Sequence, residues 1–318
     1  MQTHSHARVE ESPHQYALPA GSEPTRRNLL FAVGLTAVVL IAEVAGGIWS
    51  GSLALISDAA HVFTDLISLA LSLGAFLIAS RPVSKEHTFG WHRAEVFAAL
   101  VNGMLLLLIT AGLLRTAILR LYSPPEVKVG GMMIIAVAGL IANALVALRL
   151  RGHARDDLNV RSAYLHVLAD FGGSVGVVVA AAIMLPTRWY IADPIISILI
   201  ALAILAGSVR LLRETAHILL EGVPTGLNLE TVAEAVQSVP GVSGIHDLHI
   251  WTICSNLLAL SVHATVGDLP AEERDRIVCE INDRLSSRFN IAETTVQIES
   301  VPCRTDELIH IVPHHREF

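Results

Sequence analysis

The chain has 318 residues, of which 53% are apolar and 16% are charged, and its formal net charge is −7. Its mean hydropathy of +0.56 excludes an ordinary soluble protein and indicates a membrane protein with several spans. Only 5% of the residues are aromatic, so the core is expected to be aliphatic. No nucleic-acid partner is expected.

Six apolar runs are long enough to cross a bilayer, which takes about 20 helical residues. They cover residues 29 to 49, 55 to 80, 96 to 121, 129 to 150, 162 to 185 and 190 to 213. The first run follows Arg26 and Arg27 without a small-residue cleavage site after it, which predicts a retained span and not a signal peptide. Basic residues concentrate beside alternate ends of the spans, so both termini are predicted to be cytoplasmic.

After residue 213 the apolar runs give way to a mixed, charged sequence that is typical of a small soluble domain. NLETVAEAVQSV predicts an amphipathic helix, and SGIHDLHIWTI with NLLALSVHATV predicts a β-hairpin that turns near Ser255 and Asn256. PAEERDRIVCEINDRLSSRF predicts a second helix and TTVQIES a third strand. The expected fold class is therefore an all-α six-helix transmembrane domain followed by an α+β domain of order αββαβ.

These patterns divide the chain into four parts. Residues 1–25 and 304–318 are expected to be disordered tails, residues 26–213 the membrane domain, and residues 214–303 the αββαβ domain. The three cysteines, Cys254, Cys279 and Cys303, all fall in the C-terminal part, where a reducing cytosol would keep them as thiols.

Two copies of the pattern His-x-x-x-Asp lie inside the second and fifth apolar runs, as His61 with Asp65 and His166 with Asp170. A spacing of four places each His and Asp on one helix face, and two imidazoles plus two carboxylates complete a tetrahedral set for a metal of the zinc type. A single intramembrane His is open to a helix-packing interpretation. Two matching pairs on separate spans favour a functional metal site, because each unpaired carboxylate in lipid would cost several kcal/mol.

Other polar residues within or near the spans leave alternatives open. Asp58 could attract cations at the outer mouth, or Ser57 or Asp58 could cap the second helix. Glu43, Asn143 and Asp193 could line a water path or surround the metal ligands, or they could form interhelical hydrogen bonds.

Several motifs together resemble those of a known family. SLALISDAAHVFTD, FGWHRAE, LNVRSAYLHVLADFGGSVGV, LLEGVP and HDLHIW closely resemble segments of the cation diffusion facilitators, in the same order and over about residues 26 to 303. The likeness is strongest to the bacterial branch that exports zinc, cobalt and cadmium, and the eukaryotic zinc transporters are similar to it. The resemblance implies six-span metal exporters with a cytosolic metallochaperone-like, ferredoxin-like domain, acting as homodimers.

The resemblance also implies which residues hold metal. It places the transport site on the two His-x-x-x-Asp pairs, in agreement with their chemistry. In the cytosolic domain it implies metal ligands at His246, His263 and Glu299, with Cys303 as a further candidate. An ion of the zinc type is therefore expected there as well as in the membrane.

Four further positions carry expectations. His249 and Trp251 are expected on the strand face opposite His246, where they would pack. Arg93 and Glu221 match the positions of a charge link between the third and sixth spans.

The loop between the second and third spans holds an additional metal site in some members of the family. Here His87 matches that site, but Ser84 and Trp91 occupy the other two ligand positions, and His92 is displaced by one. We therefore expect the loop site to be absent.

The residues and the resemblance together predict a secondary active transporter that exports Zn²⁺, with Co²⁺ and Cd²⁺ as further cargo, in exchange for protons. Imidazole binds either a proton or a metal near neutral pH, and no phosphate-binding G-x-x-x-x-G-K-[ST] motif is present, so an ion gradient is the expected energy source. The alternatives are a passive divalent cation channel and a membrane metalloenzyme. The sequence contains no H-E-x-x-H motif, and the protein is not expected to be an enzyme.

The expected partners are divalent metal ions, protons, the lipid bilayer and a second copy of the chain. The short link RGHARDDLNV between the fourth and fifth spans lacks the long His-rich insertion of many eukaryotic zinc transporters. A prokaryotic plasma membrane is therefore the predicted location.

Overall fold

The computed structural model describes residues 23–151, 158–254, 257–301 and 308, and it describes no side chains at 23–30, 32, 158–163 and 166. Most of both predicted tails, the predicted turn at Ser255 and Asn256, and Cys303 lie outside the described residues.

Six long helices make up the membrane part. Each contains a stretch that is long and apolar enough to cross a bilayer, and many large apolar side chains stay exposed, including Leu108 at 71% and Ile134 at 73%. Such surfaces are unfavourable in water and suit a lipid environment. The predicted six-span architecture is confirmed. The helices are α1 (Glu23–Ser50), α2 (Leu53–Ala79), α3 (Ala94–Tyr122), α4 (Val129–Arg151), α5 (Leu158–Thr187) and α6 (Ala192–Leu219).

Helix α6 is longer than the span predicted from its apolar run, which ends at residue 213. Charged residues do not end a helix, and the Arg210 guanidinium donates to the Glu214 carboxylate at 2.9 Å across one turn. The helix ends at Leu219, just before Glu221 adopts a left-handed conformation with a φ of 56°.

The chain divides into two compact units, which are described separately. The first contains residues 1–59 and 125–193, and the second contains residues 60–124 and 194–318. In the first unit, α4 packs against both α1 and α5. Glycine allows this close approach, because a methyl group at Gly131 would collide with the Trp49 ring.

A buried carboxylate secures the start of α2. Asp193, which is 1% exposed, accepts hydrogen bonds from Ser52 Oγ at 2.5 Å, from Leu53 N at 2.7 Å and from Ala54 N at 3.1 Å. The Ser52 hydroxyl also accepts from Leu55 N at 3.1 Å, as a helix N-cap does. We call this group of bonds, formed by Ser52, Leu53, Ala54 and Asp193, the α2–α6 clasp.

The clasp decides one alternative left open by the sequence. Because α2 begins at Leu53, Ser57 and Asp58 lie inside the helix and not at its start. The interpretation of either residue as the cap of α2 is therefore wrong.

The C-terminal domain has the predicted order αββαβ. Its elements are α7 (Leu229–Gln237), β1 (Val242–Cys254), β2 (Leu257–Val266), α8 (Ala271–Phe289) and β3 (Ile291–Glu299). The sheet order is β1-β2-β3, with β1 and β2 antiparallel and β2 and β3 parallel. The parallel pair requires a crossover, and α8 provides it.

One face of this sheet forms the core with the two helices. Alternate residues of β2, including Leu260, Val262 and Ala264, are at most 1% exposed and pack with Ile281 and Leu285 of α8. The residues between them, including His263, are therefore left on the other face of the sheet. That face carries the candidate metal ligands of the domain.

Candidate metal centres

The first predicted pair lies on α2, in the second unit. His61 and Asp65 are both half-buried, and their spacing of four residues places them on one face of the helix. The Thr64 hydroxyl donates to the His61 carbonyl at 2.7 Å, and the Ser68 hydroxyl donates to the Thr64 carbonyl at 2.8 Å. Asn102 of α3 donates to Ser68 at 2.6 Å, so the polar side of α2 is tied to its neighbour.

The second predicted pair lies on α5, in the first unit. Asp170 is 6% exposed, which is deep burial for a carboxylate, whereas the side chain of His166 is outside the described residues. Because the two pairs belong to different units, their convergence on one ion is part of the proposal made below.

A hydrogen-bonded chain that was only partly anticipated joins three helices of the first unit. Asn143 Nδ2 of α4 donates to Ser174 Oγ of α5 at 3.2 Å, and this hydroxyl donates to Asp58 Oδ2 of α2 at 3.1 Å. Interhelical hydrogen bonding is therefore the correct interpretation of Asn143. The sequence analysis missed Ser174, although its position one helical turn after Asp170 places it on the same face.

The three predicted cytosolic residues come together on the sheet. His246 and His263 are directly paired between β1 and β2, and the pairing of Thr265 with Glu299 brings the end of β3 to the same place. Glu299 Oε2 lies 3.0 Å from His246 Nε2, and Glu299 Oε1 lies 3.2 Å from His263 Nδ1. Ligand atoms of the three side chains lie within 4.8 Å of one another, a separation that suits a single metal ion.

Additional polar groups surround this cluster. Gln297 Nε2 donates to Glu299 Oε1 at 2.6 Å and orients the carboxylate. On the other side of His263, Asp247 Oδ2 lies 3.7 Å from Nε2, and Asp247 Oδ1 lies 3.2 Å from His249 Nε2. Sequence reasoning missed Gln297 and Asp247 because their roles depend on strand pairing.

The prediction that His249 and Trp251 lie opposite His246 is wrong. Asp247 has a φ of 55° and forms a bulge, so that His246 pairs with His263 while His249 pairs with Ser261. One extra residue on β1 reverses the alternation of its side chains. His249 therefore shares the face of His246, where its side chain is 52% exposed and contacts Asp247.

Two other predictions concern the α2–α3 loop and the end of α6. The His87 and Trp91 rings stack with centroids 4.0 Å apart, so His87 has a packing role.

Arg93 Nη2 lies 3.1 Å from Glu221 Oε1, which confirms the predicted charge link. Both side chains are about half exposed, so the pair contributes less than about 1 kcal/mol.

The two described cysteines differ in their environment. Cys254 is buried at the end of β1 and Cys279 is exposed on α8. Burial raises the pKa of the Cys254 thiol to about 11, and the nearby Glu95 carboxylate adds to this rise. At neutral pH the Cys254 sulfur is therefore a protonated thiol, which is a poor metal ligand.

We expect a maleimide to label Cys279 readily at neutral pH and to leave Cys254 unmodified, because the reactive form is the thiolate. Labelling at Cys254 should increase only as the pH approaches the raised pKa of about 11. Peptide mass spectrometry distinguishes the two positions. Equal labelling of both at neutral pH would contradict this assignment.

Six membrane-spanning helices with ionisable residues, followed by an α+β domain with a His and Glu cluster, define an integral membrane protein that handles metal cations. Residues 29–220 match the family model described as the cation efflux transmembrane domain, and residues 224–301 match the cation efflux protein, cytoplasmic domain. The chain belongs to the cation efflux family. It is a transporter of metal cations and not an enzyme.

Relatives with established names agree with this family. The metal cation efflux system protein CzcD of Cupriavidus metallidurans is 42% identical over 290 residues, which cover 91% of this chain and 90% of the relative. The cadmium, cobalt and zinc/H(+)-K(+) antiporter of Bacillus subtilis is 38% identical over 91% of this chain and 93% of its own. The zinc transporter ZitB of Escherichia coli is 41% identical over 87% of this chain and 88% of its own.

Proposed function

We propose that this protein exports Zn²⁺ from the cytosol in exchange for protons, with Co²⁺ and Cd²⁺ as further cargo. The observation that carries the proposal is the presence of two His-x-x-x-Asp pairs within membrane-spanning helices. Mixed nitrogen and oxygen donors suit zinc and its neighbours, whereas magnesium and calcium prefer oxygen alone. The names of these relatives include zinc, cobalt and cadmium, which supports this choice of cargo.

In the proposed transport site, His61 and Asp65 of α2 and His166 and Asp170 of α5 converge on one ion. Each helix contributes one imidazole and one carboxylate, so the site carries two negative charges that offset the charge of the metal. Imidazole nitrogen binds either a proton or a metal, which makes proton concentration a competitor of zinc. Exposure of the site to one side of the membrane at a time would couple the two flows.

The cytosolic cluster of His246, His263 and Glu299 is proposed to bind a regulatory Zn²⁺. Its support is the close approach of three ligand atoms, with Gln297 orienting the carboxylate. In a homodimer, metal held by this domain would draw the two copies together and favour one state of the membrane part.

We further propose that the protein resides in a prokaryotic plasma membrane with both termini in the cytosol. The match of residues 224–301 to a cytoplasmic domain supports a cytosolic C-terminus. An even number of spans then returns the N-terminus to the same side. The bacterial origin of the relatives supports the choice of membrane.

Reconstituted proteoliposomes test this function. With a zinc-sensitive dye and a pH-sensitive dye inside, an imposed proton gradient should drive zinc uptake, and zinc uptake should move protons in the opposite direction. Zinc uptake at a saturable rate without proton movement would overturn the exchange. Non-saturating conductance would indicate a channel. The name of the Bacillus relative includes potassium, so a parallel experiment measures zinc uptake while the potassium gradient is varied at constant pH.

A further inference from the structure

Two deeply buried carboxylates of the first unit do not belong to the proposed metal ligands. Glu43 lies in α1 and is 1% exposed, and Asp58 lies in α2 and is 2% exposed. Glu43 lies against Gly139 of α4, and Asp58 lies against Gly173 and Ser174 of α5. A charged carboxylate at such a position requires hydrogen-bond donors or a cation.

Neither carboxylate has a full set of donors. Among the described residues, Glu43 Oε2 and Asp58 Oδ1 are buried without a hydrogen-bond partner. The other oxygen of Asp58 accepts one bond, from the hydroxyl of Ser174. Within the described part of the chain, no Lys, Arg or His forms an ion pair with either group.

The space around each carboxylate is created by a glycine of a neighbouring helix. A methyl group at Gly139 of α4 would lie 2.7 Å from Glu43 Oε1, and a methyl group at Gly173 of α5 would collide with Asp58 Oδ1. Each glycine, by lacking a side chain, thus leaves room for the carboxylate of the neighbouring helix. Both acidic groups are therefore enclosed between neighbouring helices.

Asp193 in the same unit shows how this fold surrounds a buried carboxylate with hydrogen-bond donors. It is equally buried, but it accepts three hydrogen bonds in the α2–α6 clasp and lies at the positive end of the α2 dipole. Glu43 and Asp58 lack such support.

Among the residues that the structure describes, the charged groups that act on Glu43 are the carboxylates of Asp58 and Asp170. The carboxylates of Asp58 and Asp170 are close enough for their charges to oppose a negative charge on Glu43. Neighbouring carboxyl groups in a low-dielectric environment cannot all be ionised without a large cost in electrostatic free energy. A proton on the pair removes part of this repulsion.

We propose that Glu43 and Asp58 form a proton-binding pair inside the membrane domain, separate from the metal ligands, that holds at least one proton at neutral pH. The pair offers only oxygen atoms, so a proton is a better occupant than zinc. When a divalent cation binds at Asp170, its positive charge favours ionisation of Glu43, and the proton is released. This link to transport rests on the proposed function, whereas the proton-binding pair itself does not.

Infrared difference spectroscopy of the full-length protein in lipid provides a test that is independent of transport. A protonated carboxyl group has a carbonyl stretch that an ionised carboxylate lacks. We expect this band in the wild type at neutral pH and its decrease on addition of zinc. Glu43→Gln and Asp58→Asn should each weaken or remove the band, whereas Glu126→Gln, a control at an exposed carboxylate, should keep it. Absence of the band in the wild type, or its full persistence in both variants, would overturn the proposal.

Calorimetry of zinc binding in buffers of different ionisation enthalpy provides the second readout. Protons released per bound zinc should fall by up to about one in Glu43→Gln or Asp58→Asn at neutral pH, with the number of bound zinc ions unchanged. Unchanged proton release, or the loss of a zinc ion from both variants, would contradict a proton-binding role. Failure of proton exchange by wild-type proteoliposomes would overturn the proposed function alone and leave the infrared result to decide the inference.

Discussion

Asp65→Asn should lower the rate of zinc uptake into proteoliposomes by about 100-fold or more. The substitution keeps the size of the side chain but removes a carboxylate from the proposed transport site, and a neutral amide oxygen is a much weaker donor to zinc. It also leaves fewer charges to offset the cation at membrane depth. The measurement is the initial rate of dye-reported zinc uptake at a fixed proton gradient, normalised to the amount of reconstituted protein.

A matched control for this variant is Glu126→Gln. Glu126 is an exposed carboxylate between α3 and α4, so its neutralisation changes the net charge by the same amount without affecting the proposed ligands. It should transport zinc at close to the wild-type rate. If Asp65→Asn folded normally and retained wild-type uptake, the assignment of the transport site to α2 and α5 would be wrong.

Glu299→Gln should abolish tight zinc binding by the cytosolic domain, with a loss of affinity on the order of 100-fold. Glu299 contacts both His246 and His263, so its carboxylate lies between the two imidazoles of the proposed site. An amide would retain hydrogen bonding to one imidazole but would present an uncharged oxygen to the metal. Metal content after dialysis and calorimetric titration of the full-length protein measure the effect.

The control is Glu293→Gln on the same strand, where the side chain is exposed. It should keep the zinc content of the wild type. Loss of one zinc ion in Glu299→Gln with continued but less zinc-responsive transport would support a regulatory role. An unchanged zinc content in this variant would exclude Glu299 as a ligand.

The sequence predicted those features of the fold that depend on local patterns. Apolar runs of sufficient length defined the six spans, and strict alternation in β2 identified the core face and left His263 on the other face. The end of α6 was harder to predict, because the change from apolar to charged residues at position 213 marks a change of environment and not the end of a helix. The helix continues to Leu219.

Features that depend on distant or single residues were not predictable. The cap of α2 includes Asp193, which is remote in the chain, so the local sequence offered only Ser57 or Asp58 as possible caps. The bulge at Asp247 depends on one residue with a left-handed backbone conformation, and no glycine marks it. That single residue placed His249 beside the candidate metal ligands and not behind them.

The α2–α6 clasp has a mechanical consequence. It anchors the first residues of two long helices at one corner, so relative movement of these helices becomes a rotation about that corner and not a slide. Helix α2 is about 40 Å long, and a tilt of about 10° would move its free end by roughly 7 Å. His61, about 12 Å from the corner, would move by only roughly 2 Å. In the proposed transporter, such a lever would separate the far ends of the two helices widely while His61 stayed almost in place.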